Sequence, residues 1–231
     1  MNTRPEDTEV WEPQPPIVEP GAGTQPPADA IVLFGSKNMS EWDIPENTEW
    51  IVENEVVSIV PSRERQAKPV WIFSRKLFGD IQLHVEWRTP EKVEGEGQRR
   101  GNSGVFLPGR YEVQILDSYQ NLTYVNGQCA SIYKQFSPLV NACRKPGEWQ
   151  TYDILFKAPR FTRDGQLKSA ARLTLLHNGI LAQNYVRIKG RTTHIGDPEY
   201  VAHPLKQPVG LQDHGDAVSF RNIWLRESPF R

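Results

Sequence analysis

Apolar and polar residues alternate along most of the chain, and this two-residue period is typical of β-strands that bury one face. The clearest example covers residues 81–88, where every second side chain is apolar. The predicted core face carries Ile81, Leu83, Val85 and Trp87, and the opposite face carries Gln82, His84, Glu86 and Arg88. We therefore predict a strand here with one buried face and one polar face.

Further strands follow the same period, at 30–34, 48–61, 149–161, 170–186 and 218–227. The range 48–61 contains an asparagine-rich turn and 170–186 contains His-Asn-Gly, so each is predicted to form a hairpin. No stretch of about 11 residues shows a helical period. Short strands separated by frequent turns predict an all-β sandwich or barrel. Residues 119–141 lack strand periodicity and are predicted to form a long loop with a helical turn.

A second informative stretch is residues 111–117. Tyr111, Val113 and Ile115 alternate with Glu112 and Gln114, so the first set is predicted to enter the core while the second lines an open surface. Asp117 lies an odd number of residues after Glu112, and a regular strand would place the two carboxylates on opposite faces. A β-bulge near Leu116 would bring them to one side.

The first 29 residues differ in composition from the rest. They hold seven prolines, which lack the N–H that a strand ladder needs, so we predict a linker or lipoprotein-type leader. Trp11, Ile17 and Val18 could anchor it to the surface. Residues 30–231 are predicted to form a single β-sandwich domain, a length that suffices for one core.

Charge and composition exclude several classes of protein. With 27 basic and 28 acidic side chains the formal net charge is −1, so neither nucleic acid nor an anionic membrane is an expected partner. The sequence has no apolar run of ~18 residues that would span a bilayer and no visible signal peptide. Seven tryptophans suit a surface that stacks on sugar rings.

The two cysteines, Cys129 and Cys143, leave two alternatives open. They can close a disulfide worth roughly 3 kcal/mol, or they can be buried thiols in a β core. The sequence contains neither C-x-x-C nor a nearby histidine pair, which argues against zinc.

The acids of residues 112–117 are the first catalytic candidates. Two carboxylates beside a glycosidic bond can divide the roles of acid and of nucleophile or base, with Gln114 between them to bind substrate. In the alternative interpretation Glu112 binds a sugar hydroxyl and Asp117 caps the turn before Ser118.

His214 is the third catalytic candidate, since a neutral imidazole can act as a base near pH 7. Asp213 or Asp216 can orient it or join it in binding a divalent cation. Alternatively, His214 is a polar surface group.

Other polar residues are candidates for substrate binding. Glu86 and Arg88 share a face and either address sugar hydroxyls or form an exposed ion pair. Arg221 is a candidate clamp. Further candidates are Asn102, Tyr119, Lys134 and Gln212, whereas His177 and His194 are predicted to be solvated in turns.

Residues 112–117, E-x-Q-x-x-D, resemble the E-x-D-x-x-E strand of some glycosidases with the concanavalin-like jelly-roll fold. From about residue 30 onward the chain resembles the 3-keto-disaccharide hydrolase domain family. The resemblance rests on LFGSKNMSEW (33–42), LHVEWR (83–88), GNSGVFL with YEVQILDS (101–118), KPGEWQTYDI (145–154) and LQDHGDAVSFRNIWL (211–225).

This resemblance implies a two-sheet jelly-roll sandwich of the concanavalin A-like lectin/glucanase type. It also implies export, hence a periplasmic or secreted protein, and cleavage of an oligosaccharide or glycoside whose C3 is a ketone. His214 or Glu112 would remove the C2 proton in an elimination, with Asp117 or a cation at the ketone, or Glu112 and Asp117 would hydrolyse the bond directly. A non-catalytic carbohydrate-binding module is the alternative, and the sequence does not indicate the oligomeric state.

Overall fold

The computed structural model describes residues 4–35, 37–108 and 110–227. In chain order the strands are β1 (Ile31–Phe34), β2 (Trp42–Asp43), β3 (Trp50–Glu53), β4 (Val56–Ile59), β5 (Val70–Ser74), β6 (Ile81–Arg88), β7 (Ser103–Leu107), β8 (Tyr111–Ile115), β9 (Gln150–Lys157), β10 (Arg160–Phe161), β11 (Leu167–Ser169), β12 (Arg172–His177), β13 (Ile180–Arg187), β14 (Gly210–Asp213) and β15 (Ser219–Glu227). Helical segments are short: α1 (Arg63–Ala67) and 3₁₀ turns at Pro5–Thr8, Gly97–Arg99 and Val125–Gly127.

The strands form two antiparallel sheets. The larger sheet has the order β13-β12-β9-β6-β15-β4-β3, with β1 also paired to β15, and the smaller has the order β2-β5-β14-β7-β8. Strands β10 and β11 form a separate ribbon. The predicted all-β, two-sheet jelly-roll sandwich is therefore confirmed.

The core lies between the two sheets, and the predicted alternation places it correctly. The four apolar residues of the 81–88 strand are fully buried on the larger sheet, and Tyr111, Val113 and Ile115 enter the same core from the smaller one. Burial of these apolar side chains supplies most of the driving force for folding. It also fixes which side chains of each strand face away from the core.

Both predicted hairpins are confirmed, and their turns have the backbone conformation that two-residue hairpin turns need. Asn54 and Glu55 have φ of 49° and 64°, and Asn178 and Gly179 have φ of 53° and 78°. Asparagine and glycine adopt this left-handed region at low cost.

The predicted bulge near Leu116 is wrong. Strand β8 pairs with β7 in regular register from Tyr111 to Ile115 and ends there, so Asp117 lies beyond the strand. The free edge of β8 bonds instead to the long 119–141 loop, whose Tyr133 N–H donates to Glu112 O (3.1 Å). This satisfies backbone groups that an open edge would leave unpaired.

The outer face of β6 is also covered. Glu86 and His84 are 4% and 2% exposed, because the N-terminal segment lies over Glu86 and the Trp224 ring stacks on His84 with centroids 5.1 Å apart. Thr24 Oγ1 donates to Glu86 Oε1 (2.7 Å), and Thr24 O accepts from Trp224 Nε1 (3.1 Å).

His177 is not solvated, so that prediction is wrong. It is fully buried at the end of β12 and packs against Trp87 and Tyr152. Burial lowers the pKa of His177 to about 4, so its imidazole is neutral at physiological pH.

Cys129 and Cys143 are free thiols in this structure. Cys129 is buried and Cys143 half-buried. The Cys129 sulfur lies 4.0 Å from His177 Nδ1, and the Cys143 thiol donates to Leu116 O (3.9 Å). Of the two alternatives, the structure contains the thiol pair.

No helix in the described ranges is long and apolar enough to cross a membrane.

Candidate functional site

A cavity of about 750 Å³ opens on the face of the smaller sheet that points away from the core. We call it the main cavity, and its volume lies within the roughly 300–1,000 Å³ typical of small-molecule sites. Its lining side chains are Gln66, Ala67, Pro69, Trp71, Gln98, Arg99, Asn102, Phe106, Glu112, Gln114, Tyr124, Tyr133, Thr192, His194, Gln212 and His214.

Strand alternation builds the floor of the main cavity. Trp71 on β5, Phe106 on β7, Glu112 and Gln114 on β8 and Gln212 on β14 point outward, because their sequence neighbours occupy the core. The walls come from loops, including the long loop and the segment after β13. The structure thus brings together four of the predicted polar site residues, Asn102, Glu112, Gln114 and Gln212, with His214.

Glu112 is a buried carboxyl group with no cation paired to it among the described residues. It is 4% exposed, and burial raises the pKa of Glu112 from 4.5 to about 8. With its NH₂ group turned toward them, the Gln114 amide donates to Glu112 Oε1 (3.2 Å) and Ser103 O (3.0 Å). At neutral pH Glu112 therefore holds its proton and can donate it.

His214 follows β14 in a turn that a buried ion pair holds in place. Asp213 Oδ2 lies 2.6 Å from Arg65 Nε and accepts from the Thr48 hydroxyl, and Asp213 Oδ1 accepts from Gly215 N–H (2.8 Å). Asp213 is fully buried, so removing Arg65 would leave an unpaired charge in the interior. This arrangement fixes the backbone that carries the His214 imidazole.

Burial lowers the pKa of His214 below its ordinary value, even though Asp213 and Asp216 act in the opposite direction. The imidazole is therefore neutral near pH 7 and can accept a proton. The main cavity therefore holds a neutral base and a protonated acid: burial lowers the pKa of His214 and raises the pKa of Glu112.

The Asn102 segment joins the same network. Asn102 N–H donates to Asp216 Oδ2 (2.7 Å), and Asn102 Nδ2 donates to Gln98 O (2.9 Å). Burial raises the pKa of Asp216 above its ordinary value. These bonds hold Asn102 in the wall of the main cavity.

Two further lining atoms have unused hydrogen-bonding capacity. Gln212 Oε1 and Trp71 Nε1 are buried and have no hydrogen-bond partner in the described residues. Buried polar atoms without partners are costly and rare, and a bound ligand is one of the ways in which they become satisfied. Gln212 and Trp71 both line the main cavity, and each has one polar atom without a partner.

Asp117 does not line the main cavity. Its carboxylate bonds to Arg100, whose Nε lies 2.8 Å from Asp117 Oδ2, and its Oδ1 accepts from Tyr119 N–H (3.1 Å). Arg100 and Asp117 line a separate cavity of about 250 Å³. The structure therefore separates the two carboxylates that the spacing suggested as a pair, and Tyr119 lies with Asp117.

Glu86, Arg88 and Arg221 lie on the larger sheet, away from the main cavity. Arg221, not Arg88, pairs with Glu86, at 2.6 Å between Nε and Oε2. Burial alone would raise the pKa of Glu86, but hydrogen bonds from Asn222, Thr24 and Arg221 lower it overall. The Arg88 and Arg221 guanidinium carbons lie 4.7 Å and 4.1 Å from the Trp149 ring centroid. This second cluster is distinct from the main cavity.

Lys134 lies at the rim. Its Nζ donates to His194 O (2.6 Å) and lies 5.8 Å from the ring centroids of Tyr124 and Tyr133. It supports residues that line the main cavity without lining it.

Sequence reasoning missed the aromatic lining of the main cavity. Trp71, Phe106, Tyr124 and Tyr133 face the cavity, and the two tyrosine hydroxyls are hydrogen-bonded to each other (2.7 Å). Trp71 begins a run, WIFS, whose alternation could have identified it; the tyrosines lie in the aperiodic loop and carry no such signal.

The residues around His214 do not fit a divalent cation. The Asp213 carboxylate is occupied by Arg65, Thr48 and Gly215, and Asp216 is bonded to Asn102 and Gln66. Within the described part of the chain there is no group of three or more His, Cys, Asp or Glu that could hold a metal ion.

Comparison with solved structures places the fold among its relatives. A "putative glycosyl hydrolase" from Parabacteroides distasonis ATCC 8503 is 45% identical to this chain, with a TM-score of 0.89 over 97% of each chain. Two others described in the same words, from the same organism, have TM-scores of 0.59. They are 21% and 17% identical, cover 86% and 87% of this chain and 99% and 94% of their own, and show the fold alone. No curated protein matches the chain.

A family model described as "3-keto-alpha-glucoside-1,2-lyase-like domain" matches residues 29–226. The match covers most of the chain, including every strand of both sheets except the last residue of β15. With the 45% identical relative, it shows that the chain belongs to the 3-keto-alpha-glucoside-1,2-lyase-like domain family.

Proposed function

We propose that this protein cleaves the glycosidic bond of a 3-keto sugar by elimination across C1 and C2 in the main cavity. One observation supports the proposal: His214, whose pKa burial lowers, and Glu112, whose pKa burial raises to about 8, both line the main cavity. The family description and the glycosyl hydrolase name of the 45% identical relative support a carbohydrate substrate.

The reaction needs a base and an acid at different atoms of the sugar. The C3 ketone acidifies the C2–H bond, and His214 removes that proton. The electron pair of the C2–H bond forms a C1=C2 double bond as the C1–O bond breaks, and Glu112 gives its proton to the departing oxygen. The products are an unsaturated 3-keto sugar and an alcohol, and later addition of water across the double bond gives the products of hydrolysis.

The cavity environment suits both proton transfers. Burial raises the pKa of Glu112 to about 8, so its carboxyl group is protonated at neutral pH. Burial also lowers the pKa of His214, so its imidazole is neutral at that pH. At neutral pH both groups therefore hold the protonation state that the elimination requires. A catalytic pair whose pKa values bracket the working pH gives efficient general acid and base catalysis.

The remaining lining residues supply binding. Asn102, Gln114 and Gln212 offer amide groups to sugar hydroxyls and to the C3 ketone. Trp71 and the two tyrosines offer apolar faces for stacking on the sugar ring.

Direct hydrolysis by two carboxylates has less support. That mechanism needs both carboxyl groups on either side of one bond, within ~5–9.5 Å of each other. Asp117 is bound to Arg100 in a different cavity from Glu112, so the pair suggested by spacing does not share a substrate.

Paired incubations test the proposal. Purified protein receives a 3-keto disaccharide or its unoxidised parent, and product is followed by NMR. We expect cleavage of the keto sugar only, because only the ketone acidifies C2. Binding of both sugars without cleavage of either would instead identify a carbohydrate-binding module and overturn the proposed activity.

A further inference from the structure

A second cavity of about 460 Å³ adjoins the main cavity on the same face of the smaller sheet. Trp71, Phe106 and Thr192 line both, so the two cavities share a wall. We call the second one the arginine cavity, because its remaining lining includes Arg110 and Arg191, with Phe73, Gln207 and Pro208. The two together form a groove longer than one sugar ring requires.

The charged side chains that line the arginine cavity are all cationic. Arg110 and Arg191 are its only charged lining residues in the described structure, and neither forms an ion pair there. Arg65, Arg160 and Arg226 elsewhere are each matched with a carboxylate. The Arg110 Nε is buried without a hydrogen-bond partner. Unmatched guanidinium groups lining a cavity favour an anionic ligand.

The backbone holds the two arginines side by side. Thr192 N–H donates to Arg110 O (2.9 Å), which fixes the segment of Arg191 against the turn that carries Arg110. The Thr192 hydroxyl accepts from Glu112 N–H (2.9 Å). The same threonine therefore ties the arginine cavity to the strand that carries the proposed catalytic acid.

The shared wall is aromatic. The rings of Trp71 and Phe106 meet edge to face, with centroids 5.8 Å apart and an interplanar angle of 85°. Trp71 Nε1 is buried and unpartnered. A sugar on either side of this wall would contact an aromatic ring, as sugars commonly do in binding sites.

We propose that the arginine cavity is a subsite for a sugar bearing a carboxylate or sulfate group, next to the keto sugar held in the main cavity. The inference rests on the proposed function and narrows its substrate class to acidic disaccharides and glycosides. The guanidinium groups would bind the anionic group through paired N–H donors, and Gln207 would bind a neighbouring hydroxyl.

Titration of the free monosaccharides tests the subsite without any turnover. Glucuronate, glucose 6-sulfate and glucose are each added to the full chain while its tryptophan fluorescence or ligand NMR saturation is followed. We expect glucuronate or the sulfate to bind at least tenfold more tightly than glucose, and the stronger of the two identifies the anionic group. Equal binding of all three, or no binding, would overturn the subsite.

Variants locate the binding. Arg110→Ala and Arg191→Ala are expected to weaken binding of the acidic sugar at least tenfold, and Arg163→Ala, an exposed arginine outside both cavities, is the matched control. Arg191 is exposed, so its variant decides the matter if Arg110→Ala does not fold. A loss equal to that of Arg163→Ala would overturn the assignment.

Turnover separates this inference from the proposed function. The ratio of kcat/KM for an acidic 3-keto disaccharide to that for a neutral one is expected to exceed ten in the wild type and to fall toward one in Arg191→Ala. A wild-type ratio near one, with both sugars cleaved, overturns the subsite alone. Cleavage of neither sugar overturns the proposed function, and the monosaccharide titration then still decides the subsite.

Discussion

Gly104 leaves the space that the Glu112 carboxyl group occupies: a Cβ atom at position 104 would lie 2.6 Å from Glu112 Oε1 and 3.0 Å from its Cγ. Gly104 lies on β7, beside β8, where it faces Gln114 across the ladder. The second glycine of the GNSG sequence is therefore required by the Glu112 side chain on the next strand. A larger residue there must move the carboxyl group.

Gly104→Ala is expected to displace Glu112 from the cavity floor and to lower kcat for a 3-keto disaccharide by 10-fold or more, since misplaced catalytic groups are costly. Near-ultraviolet circular dichroism should stay native. Gly79→Ala, at a glycine outside the left-handed region where the nearest atom to an added Cβ is Leu205 Cγ at 3.4 Å, is the control for backbone effects of replacing a glycine. An unchanged kcat in Gly104→Ala would show that Glu112 is not positioned by this contact.

Glu112→Gln is expected to change the pH dependence of stability. In the wild type the pKa of Glu112 is about 8 in the folded state, above the value of 4.5 for the unfolded chain. Between these pH values the folded state holds a proton that the unfolded state lacks, so the free energy of unfolding falls as pH rises through this window. The loss is at most about 5 kcal/mol, at ~1.4 kcal/mol per pKa unit.

Urea unfolding at pH 5 and pH 8.5 measures this effect. The wild type should lose stability between the two, and Glu112→Gln should lose several kcal/mol less. Glu148→Gln, an exposed glutamate, should behave as the wild type does. Identical pH dependence in wild type and Glu112→Gln would contradict a raised pKa.

His214→Ala is expected to lower kcat by about 10²–10⁴-fold, the usual contribution of a positioned base, while substrate binding measured by calorimetry changes little. His194→Ala removes an exposed imidazole that lines the same cavity and should alter kcat by less than a few fold. Equal losses in kcat for the two variants would show that His214 is not the base.

Arg221→Ala and Arg88→Ala are expected to leave kcat/KM for a 3-keto disaccharide within about twofold of wild type, because both guanidinium groups lie on the larger sheet, away from the main cavity, and contact Trp149 just before β9. Arg221→Ala should lower stability, since Glu86 is buried and loses its charged partner. A tenfold fall in kcat/KM with intact folding would show that these arginines do contact the substrate.

The alternation of apolar and polar residues predicted the regular strands of this fold. The alternation at residues 81–88 and 111–115 placed the core faces of β6 and β8 correctly, because side-chain direction on a strand follows parity alone. Alternation no longer predicts the direction of a side chain beyond the end of a strand, and Asp117 lies beyond the end of β8. Its position is set by Arg100, a long-range contact that no local pattern contains.

The candidate site was only partly predictable for the same reason. Glu112, Gln114, Gln212 and His214 were singled out by residue type and by family resemblance. Tertiary packing decides two features that the local sequence does not show. Thr24 covers the outer face of β6, and His177 packs on Trp87. The raised pKa of Glu112 likewise arises from burial, which residue type does not reveal. Export of the protein stays a prediction.

The most direct measurement of the central claim is NMR of the reaction with a 3-keto disaccharide in deuterated water. Removal of the C2 proton by His214, followed by addition of solvent across the double bond, predicts one deuterium at C2 of the product sugar, and no incorporation by His214→Ala. Cleavage that leaves the C2 proton in place would contradict elimination and would mean that this protein breaks the glycosidic bond by direct hydrolysis.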